Sequence, residues 1–336
     1  MEIANTSQAP LPSTATSFLG QLRLPVIAAP MFLVSGPDLV VAAQQAGIVG
    51  SFPTPNCRSS EELDRWLTDI SRRIANVSPS PWSPPWAVNL VVHKANPRLQ
   101  NDLSVVVKHR VPLVIASVGA PDPVIGAVHA YGGRVICDVA SLRHAKRAVN
   151  SGVDGLVLLT SGAGGQEGSA NPFAFVRAVR RFYDGFIALA GCIADGASLL
   201  AARVLGADVA YIGTGFIVAV ESMAQSRYRQ MVVDSTMDDV FRTNAVTGLY
   251  ANLLRPSFVA AGIDPDSLTT HAPGDISKHL DQDLQEKRWR DIWAAGQGVT
   301  LVDQIAPVSD IVLKLENEYR AAIAGLTKHN VLNNAA

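Results

Sequence analysis

The chain has 336 residues, of which 48% are apolar and 17% charged, with a formal net charge of -1. That length and apolar content can bury one large core. The near-neutral balance, without a run of lysines or arginines, excludes a nucleic-acid or anionic-lipid surface, and no apolar stretch approaches the ~20 residues of a membrane-spanning helix.

Residues 1–20 read as a polar, disordered lead-in. Met1 to Ser17 carry an acid at Glu2, lack a basic patch and have no continuous apolar block, so no secretory signal is expected and the cytoplasm is the expected location. Cys57, Cys137 and Cys192 are far apart and show no C-x-x-C spacing. Cys137 and Cys192 lie in or just after apolar strands and are expected to be buried packing thiols. None of the histidines forms an H-x-x-x-H or H-x-E pair, so no metal site is expected.

From Pro25 onward, short apolar runs alternate with amphipathic segments, the pattern of parallel strands joined by helical crossovers. Eight runs begin near Val26 (VIAAP), Gly47 (GIVGS), Trp86 (WAVNLVV), Leu113 (LVIAS), Val135 (VICDV), Gly155 (GLVLL), Ile187 (IALAG) and Val209 (VAYIG). Helix starts carry ordinary signals: Ser59-Ser60-Glu61-Glu62 as a capping box, and Pro37-Asp38 and Pro123 in first turns. Two steps between strands are long and mark inserted loops, around Asn76–Pro85 and Ser161–Phe173. Eight strands in unbroken series favour an α/β fold of the (β/α)8 TIM barrel type over residues 21–217 against an open doubly wound sheet. Beyond it, Glu221–Val233, Met237–Leu253 and Pro307–Ala324 have helical spacing. Residues 218–328 are therefore expected to be a helical extension covering the barrel mouth, with Trp293–Gly298 in its loop and a flexible tail at 329–336.

Chemistry in such barrels sits at the C-terminal strand ends, and the last loops commonly hold a phosphate. Three glycine turns converge there: Ser161–Gly168 after the sixth strand, Ala190-Gly191-Cys192-Ile193-Ala194-Asp195-Gly196 after the seventh, and Gly213-Thr214-Gly215-Phe216 after the eighth. Glycines let backbone N–H groups approach an anion, and a following helix adds its positive end. Ala29-Pro30-Met31 ends the first strand as a turn at the mouth. Asn89 is a buried amide within the third strand that needs partners, either neighbouring backbone or a bound ring. Asp138, ending the fifth, is counted with the residues around a bound cofactor, its carboxylate either orienting a substrate or capping the helix near Ser141.

These residues together resemble the nitronate monooxygenase (2-nitropropane dioxygenase-like) family: Ala29-Pro30-Met31, Asn89, the Gly-Ala-Gly-Gly-x-x-Gly turn at 162–168, Ala190–Gly196, Gly213-Thr214-x-Phe216 and Trp293–Gly298. The match spans Leu22 to Ala324. The resemblance implies a TIM barrel binding FMN, with the phosphate on the amides of Gly164, Gly165, Gly191, Cys192, Ile193, Gly213 and Thr214. It also implies Asn89 on the isoalloxazine and Ala29–Met31 beside the ring, the protein positioning and tuning a cofactor that carries the redox chemistry.

Three positions depart from the family pattern. Gln166 stands where the best-known members have a proton-handling histidine, and an amide cannot take a proton near neutral pH. Cys192 replaces a common glycine, and Leu159 replaces a polar flavin contact. His144, just after the fifth strand, is an alternative base or a helix-face histidine.

The first reading is therefore an FMN-dependent oxidoreductase of the nitronate monooxygenase type, oxidising alkyl nitronates with dioxygen to a carbonyl compound and nitrite. In it, Gln166 and Asn89 hold substrate or flavin oxygens, Met31 and Phe216 shape the pocket, and Gln297 sits in the cover. A second keeps the flavin but takes NADH or NADPH as reductant of quinones or enoyl thioesters, and a third is a non-catalytic phosphate-binding barrel. All require only a small-molecule partner, and a homodimer is compatible with each.

Overall fold

A computed structural model of the protein describes residues 18–76, 80–246, 248–268 and 290–328. The lead-in to Ser17 and the tail at 329–336 lie outside the described residues. The chain lays down β1 (Val26–Ala28), β2 (Val49–Pro53), β3 (Ala87–Val91), β4 (Leu113–Ser117), β5 (Arg134–Val139), β6 (Gly155–Leu159), a short β7 (Gly165–Gln166), β8 (Phe186–Ala190) and β9 (Val209–Ile212). All except β7 form one closed parallel barrel in chain order, and each of the eight apolar runs supplies one barrel strand. Val26 opposite Ala210 and Ile27 opposite Val49 close the ring at β1.

Strand side chains alternate between the two faces. Ile27, Val49, Leu113, Ile115, Ile136 and Val157 fill the barrel interior. Their neighbours Val114, Val135, Cys137, Leu156, Leu158 and Ile187 face outward into a second core beneath the helices. Those helices are α1 (Pro37–Gln45), α2 (Ser60–Ala75), α3 (Leu99–Lys108), α4 (Asp122–His129), α5 (Leu142–Ser151), α6 (Pro172–Val179) and α7 (Gly196–Leu205). The capping motif of α2 differs from expectation by one residue. Ser59 accepts the Glu62 N–H at 3.2 Å, but Glu62 reaches back to the Arg58 N–H at 2.7 Å rather than to that of Ser59.

The remainder departs from a wholly helical reading. It contains α8 (Thr214–Ile217), α9 (Ser226–Asp234), β10 (Val240–Thr243), β11 (Ala251–Leu254), α10 (Arg255–Ala260) and α11 (Val308–Lys328). The helix expected over Met237–Leu253 is instead a 3-10 turn followed by β10 and β11, which join β7 in an antiparallel sheet of order β10-β11-β7. Gly248, at φ 79, lies between the two strands in a conformation that interrupts a helix. The flanking Val240-Phe241-Arg242-Thr243 run suits a half-buried strand.

The long helix α11 does not cover the mouth; it packs on the barrel flank against α7 and α1. Gly196 permits this, because a Cβ there would lie 2.0 Å from the Tyr319 backbone nitrogen. The cover is formed by α9 and the Trp293–Gly298 segment, sharing a core of Val34, Ile217, Tyr228, Leu254, Trp293 and Val299. Tyr228 stacks on Trp293 with centroids 5.1 Å apart and donates to the Ala294 carbonyl at 2.6 Å.

Candidate active site

The mouth of the barrel holds a cavity of about 730 Å³, within the range of small-molecule sites. Strand ends form its floor: Ala29 of the β1 turn, Asn89, Ser117, Asp138, Leu159 and Tyr211. The three glycine turns form one wall, with Gly164, Gly165, Gly191, Cys192, Ile193, Gly213 and Thr214 all bordering the space, and Pro30, Met31 and Gln166 border it too. Met223, Tyr228, Ile292 and Trp293 supply the apolar roof.

The glycine turn after β6 is fixed from outside by groups the sequence did not single out. Glu167 turns its carboxylate into the protein, its side chain only 2% exposed. It accepts hydrogen bonds from the Gly162 N–H at 2.7 Å, from Asn252 Nδ2 at 2.6 Å and from Arg242 Nε. Asn252 also donates to the Ala163 carbonyl at 2.8 Å, and the Arg242 guanidinium lies 3.7 Å over the Tyr250 ring. The β7–β11 ladder sets Gln166 opposite Ala251, so Gln166 is a strand residue rather than the end of a free loop. Glu167 had no legible signal because its partners lie 75 and 85 positions away.

The cover segment docks directly on this turn. Gln297 donates its N–H to the Gly162 carbonyl at 2.9 Å, and Gly296 donates to Thr214 Oγ1 at 2.9 Å. A Cβ on Gly164 would meet the Gly296 nitrogen at 2.7 Å, so both glycines are demanded by backbone-to-backbone contact. Among the described residues, no protein group accepts from the N–H groups of Gly164, Cys192 and Ile193. Two of the first three N–H groups of α7, by contrast, are already taken, and the third, on Ala197, does not border the cavity. Glu318 accepts from Gly196 at 3.0 Å and Asp195 from Ser198 at 2.8 Å. The anion-binding donors on this wall are therefore the turn amides, not the end of α7.

Several expected site residues are placed elsewhere. Phe216 is fully buried beneath the mouth, among Ala28, Leu39, Leu199 and Val312, and does not shape the cavity. The single helical turn of α8 points it into the layer shared with α1 and α11. His144 lies on the exposed face of α5, where Ser141 caps its backbone N–H at 3.2 Å, so it is not a base in this site. The same cap frees Asp138 from the helix-capping role. Gln297 borders the glycine turn rather than the cavity.

Cys137 is buried, but Cys192 is exposed toward the cavity, at φ 58. A side chain there strains the backbone, since non-glycine residues rarely adopt that region. Burial and the Glu167 charge push its thiol above the ordinary range, so it stays protonated.

Two polar floor residues are what a bound ligand would meet. Asn89 spends one donor on the Ile115 carbonyl at 2.9 Å, the neighbouring-backbone partner. Asp138 has its Oδ1 sealed from solvent without a hydrogen-bond partner, and desolvation raises its carboxyl to about 7. Tyr211, also on the floor, is raised by burial and by the adjacent Asp138 charge. Near the β1 turn, Asn56 donates to the carbonyls of Met31 at 3.0 Å and Ser35 at 2.7 Å, and accepts from Leu33 N–H at 2.9 Å. That bracket holds Leu33 at φ 58 and fixes Met31 at the rim.

Comparison with known proteins places this geometry in context. The family model described as nitronate monooxygenase matches residues 14–318. A nitronate monooxygenase of Paraburkholderia phytofirmans is 27% identical, covering 90% of this chain and 94% of the relative. A probable nitronate monooxygenase of Staphylococcus saprophyticus is 25% identical, covering 91% and 98%. Among solved structures, FabK from Thermotoga maritima superposes with a TM-score of 0.77 at 24% identity, covering 93% and 97%. Nitroalkane oxidase from Streptomyces ansochromogenes also gives 0.77, at 20% identity, covering 94% and 100%. At those identities the two structures show the shared fold.

Proposed function

The chain belongs to the nitronate monooxygenase family and is a flavin-dependent oxidoreductase, and from that premise we propose that it binds FMN in the barrel mouth and oxidises alkyl nitronates to a carbonyl compound and nitrite. The observation that carries the reading is the wall of three turns. Unpartnered amides of Gly164, Cys192 and Ile193 border one cavity together with Gly213 and Thr214, at the side of the barrel where phosphates are commonly held.

In this reading Gly164, Gly165, Gly191, Cys192, Ile193, Gly213 and Thr214 hold the phosphate, while Ala29, Pro30, Met31 and Asn89 border the ring. The chemistry that a bound flavin supplies is electron transfer from an anionic nitronate to dioxygen. The protein's own part is positioning and exclusion. Gln166, held by β11, donates a hydrogen bond to a nitro oxygen, and an amide suffices because an ionised nitronate needs no proton removed. Trp293, Tyr228 and Ile292 close an apolar roof that keeps water from the reacting carbon.

The test is oxygen consumption and nitrite release by FMN-reconstituted protein supplied with propyl nitronate. Stoichiometric nitrite is the expected result. Absence of nitrite, with NADH- or NADPH-driven reduction of a quinone or enoyl thioester instead, would overturn the reading in favour of a reductase.

A further inference from the structure

Asp138 is not used by the reading above, yet it is placed as a reactive group would be. Strand alternation puts it on the same face of β5 as Ile136, which points into the barrel, so its side chain rises from the interior into the cavity floor. Its Oδ1 is sealed from solvent without a partner, a state that calls for an explanation, while its Oδ2 is neither sealed nor hydrogen-bonded and is the oxygen open to the cavity.

The other cavity-lining groups able to exchange a proton are engaged or mismatched. Among the described residues no histidine lines the space. Asp102 is paired with Arg98 at 3.1 Å and accepts from Ser60 at 2.8 Å. The Cys192 thiol and the phenols of Tyr211 and Tyr228 are all pushed above their ordinary ranges by burial. Gln166 has no proton to exchange.

We propose that Asp138 is the general base of this site, removing the α-proton of a neutral nitroalkane so that the protein generates the nitronate it then oxidises. The proposal rests on the nitronate reading given above. In the step, the α C–H bond breaks and an O–H bond forms on Asp138. The electron pair moves onto the nitro group as the nitronate, and the proton passes from Asp138 to water after product leaves. Burial raises the carboxyl to about 7, where a base both exists as the anion near neutral pH and accepts a proton readily.

The groups facing Asp138 leave this titration its own. Tyr211 approaches from β9 and Cys137 is adjacent on β5, both neutral in this range. The flanking strands present Ser117 and Leu159, which carry no charge.

The experiment compares neutral nitropropane with preformed propyl nitronate in FMN-loaded wild type, Asp138→Asn and Asp138→Glu. The ratio of nitroalkane to nitronate turnover is expected to fall on the order of 100-fold in Asp138→Asn and to recover in part in Asp138→Glu. Wild-type kcat/KM for nitropropane should rise with pH through about 7. Independently of activity, infrared spectra of cofactor-free protein should contain a protonated-carboxyl band that disappears over the same pH range and is missing in Asp138→Asn. An unchanged ratio, or no such band, overturns the assignment. Wild-type turnover of nitronate without nitropropane overturns it while leaving the nitronate reading intact, and turnover of neither overturns both.

Discussion

Replacing Glu167 by Gln separates the clamp on the glycine turn from the barrel that carries it. The carboxylate accepts from Gly162, Asn252 and Arg242 at once, so an amide must aim its NH2 at one of these donors. Hydrogen bonds to a charged group are worth about 1.5–3 kcal/mol. The Arg242 side chain is 40% exposed, which screens its share. A loss of about 2 kcal/mol is therefore expected at the turn, equivalent to roughly 30-fold weaker cofactor binding if it falls on the bound conformation. The assay is titration of cofactor-free protein with FMN by flavin fluorescence, alongside the thermal midpoint of the same cofactor-free protein. A dissociation constant close to that of wild type, with only the midpoint lowered, would refute the argument that Glu167 positions the phosphate wall.

Gly164→Asp should abolish FMN retention, because its Cβ would lie 2.7 Å from the Gly296 nitrogen and its carboxylate would oppose the phosphate; a purified variant that stays yellow would contradict the placement of the wall. Tyr228→Phe removes the 2.6 Å bond to Ala294 but leaves the stack on Trp293, so the cover should lose about 1 kcal/mol, read as a lower urea midpoint. Asp138→Asn should stabilise the cofactor-free protein selectively at higher pH. The folded carboxyl titrates near 7 against an ordinary value of 3.8, so the wild-type penalty is absent below about pH 4, grows as pH rises and is complete above about 7. The variant should match wild type at pH 4 and exceed it by up to about 4 kcal/mol at pH 8, measured from thermal midpoints.

The barrel was legible because its signal is local. Each parallel strand is buried on both faces and reads as one apolar run, and the runs VIAAP through VAYIG each became a staple of the ring. The glycine turns were legible for the same reason, since strand ends and chain order fix where they meet. What could not be read depended on distant partners. Helical spacing over Met237–Leu253 was a poor guide because β11 takes its conformation from β7, some 85 residues upstream, and so did the Glu167 clamp. Phe216 and His144 were misplaced for a simpler reason: a residue next to a functional turn can face either the cavity or the packing layer, and one helical turn decides which. Asp138 stood out as a polar strand end, but its sealed oxygen is a property of the closed ring.

The central claim is that this cavity holds a flavin reduced by nitronate. Anaerobic mixing of FMN-loaded protein with propyl nitronate, and separately with NADH and NADPH, tests it by the loss of the flavin's visible absorbance. The account predicts rapid bleaching by the nitronate and none by either pyridine nucleotide. Bleaching by NADH or NADPH, with an unchanged spectrum in nitronate, would contradict it.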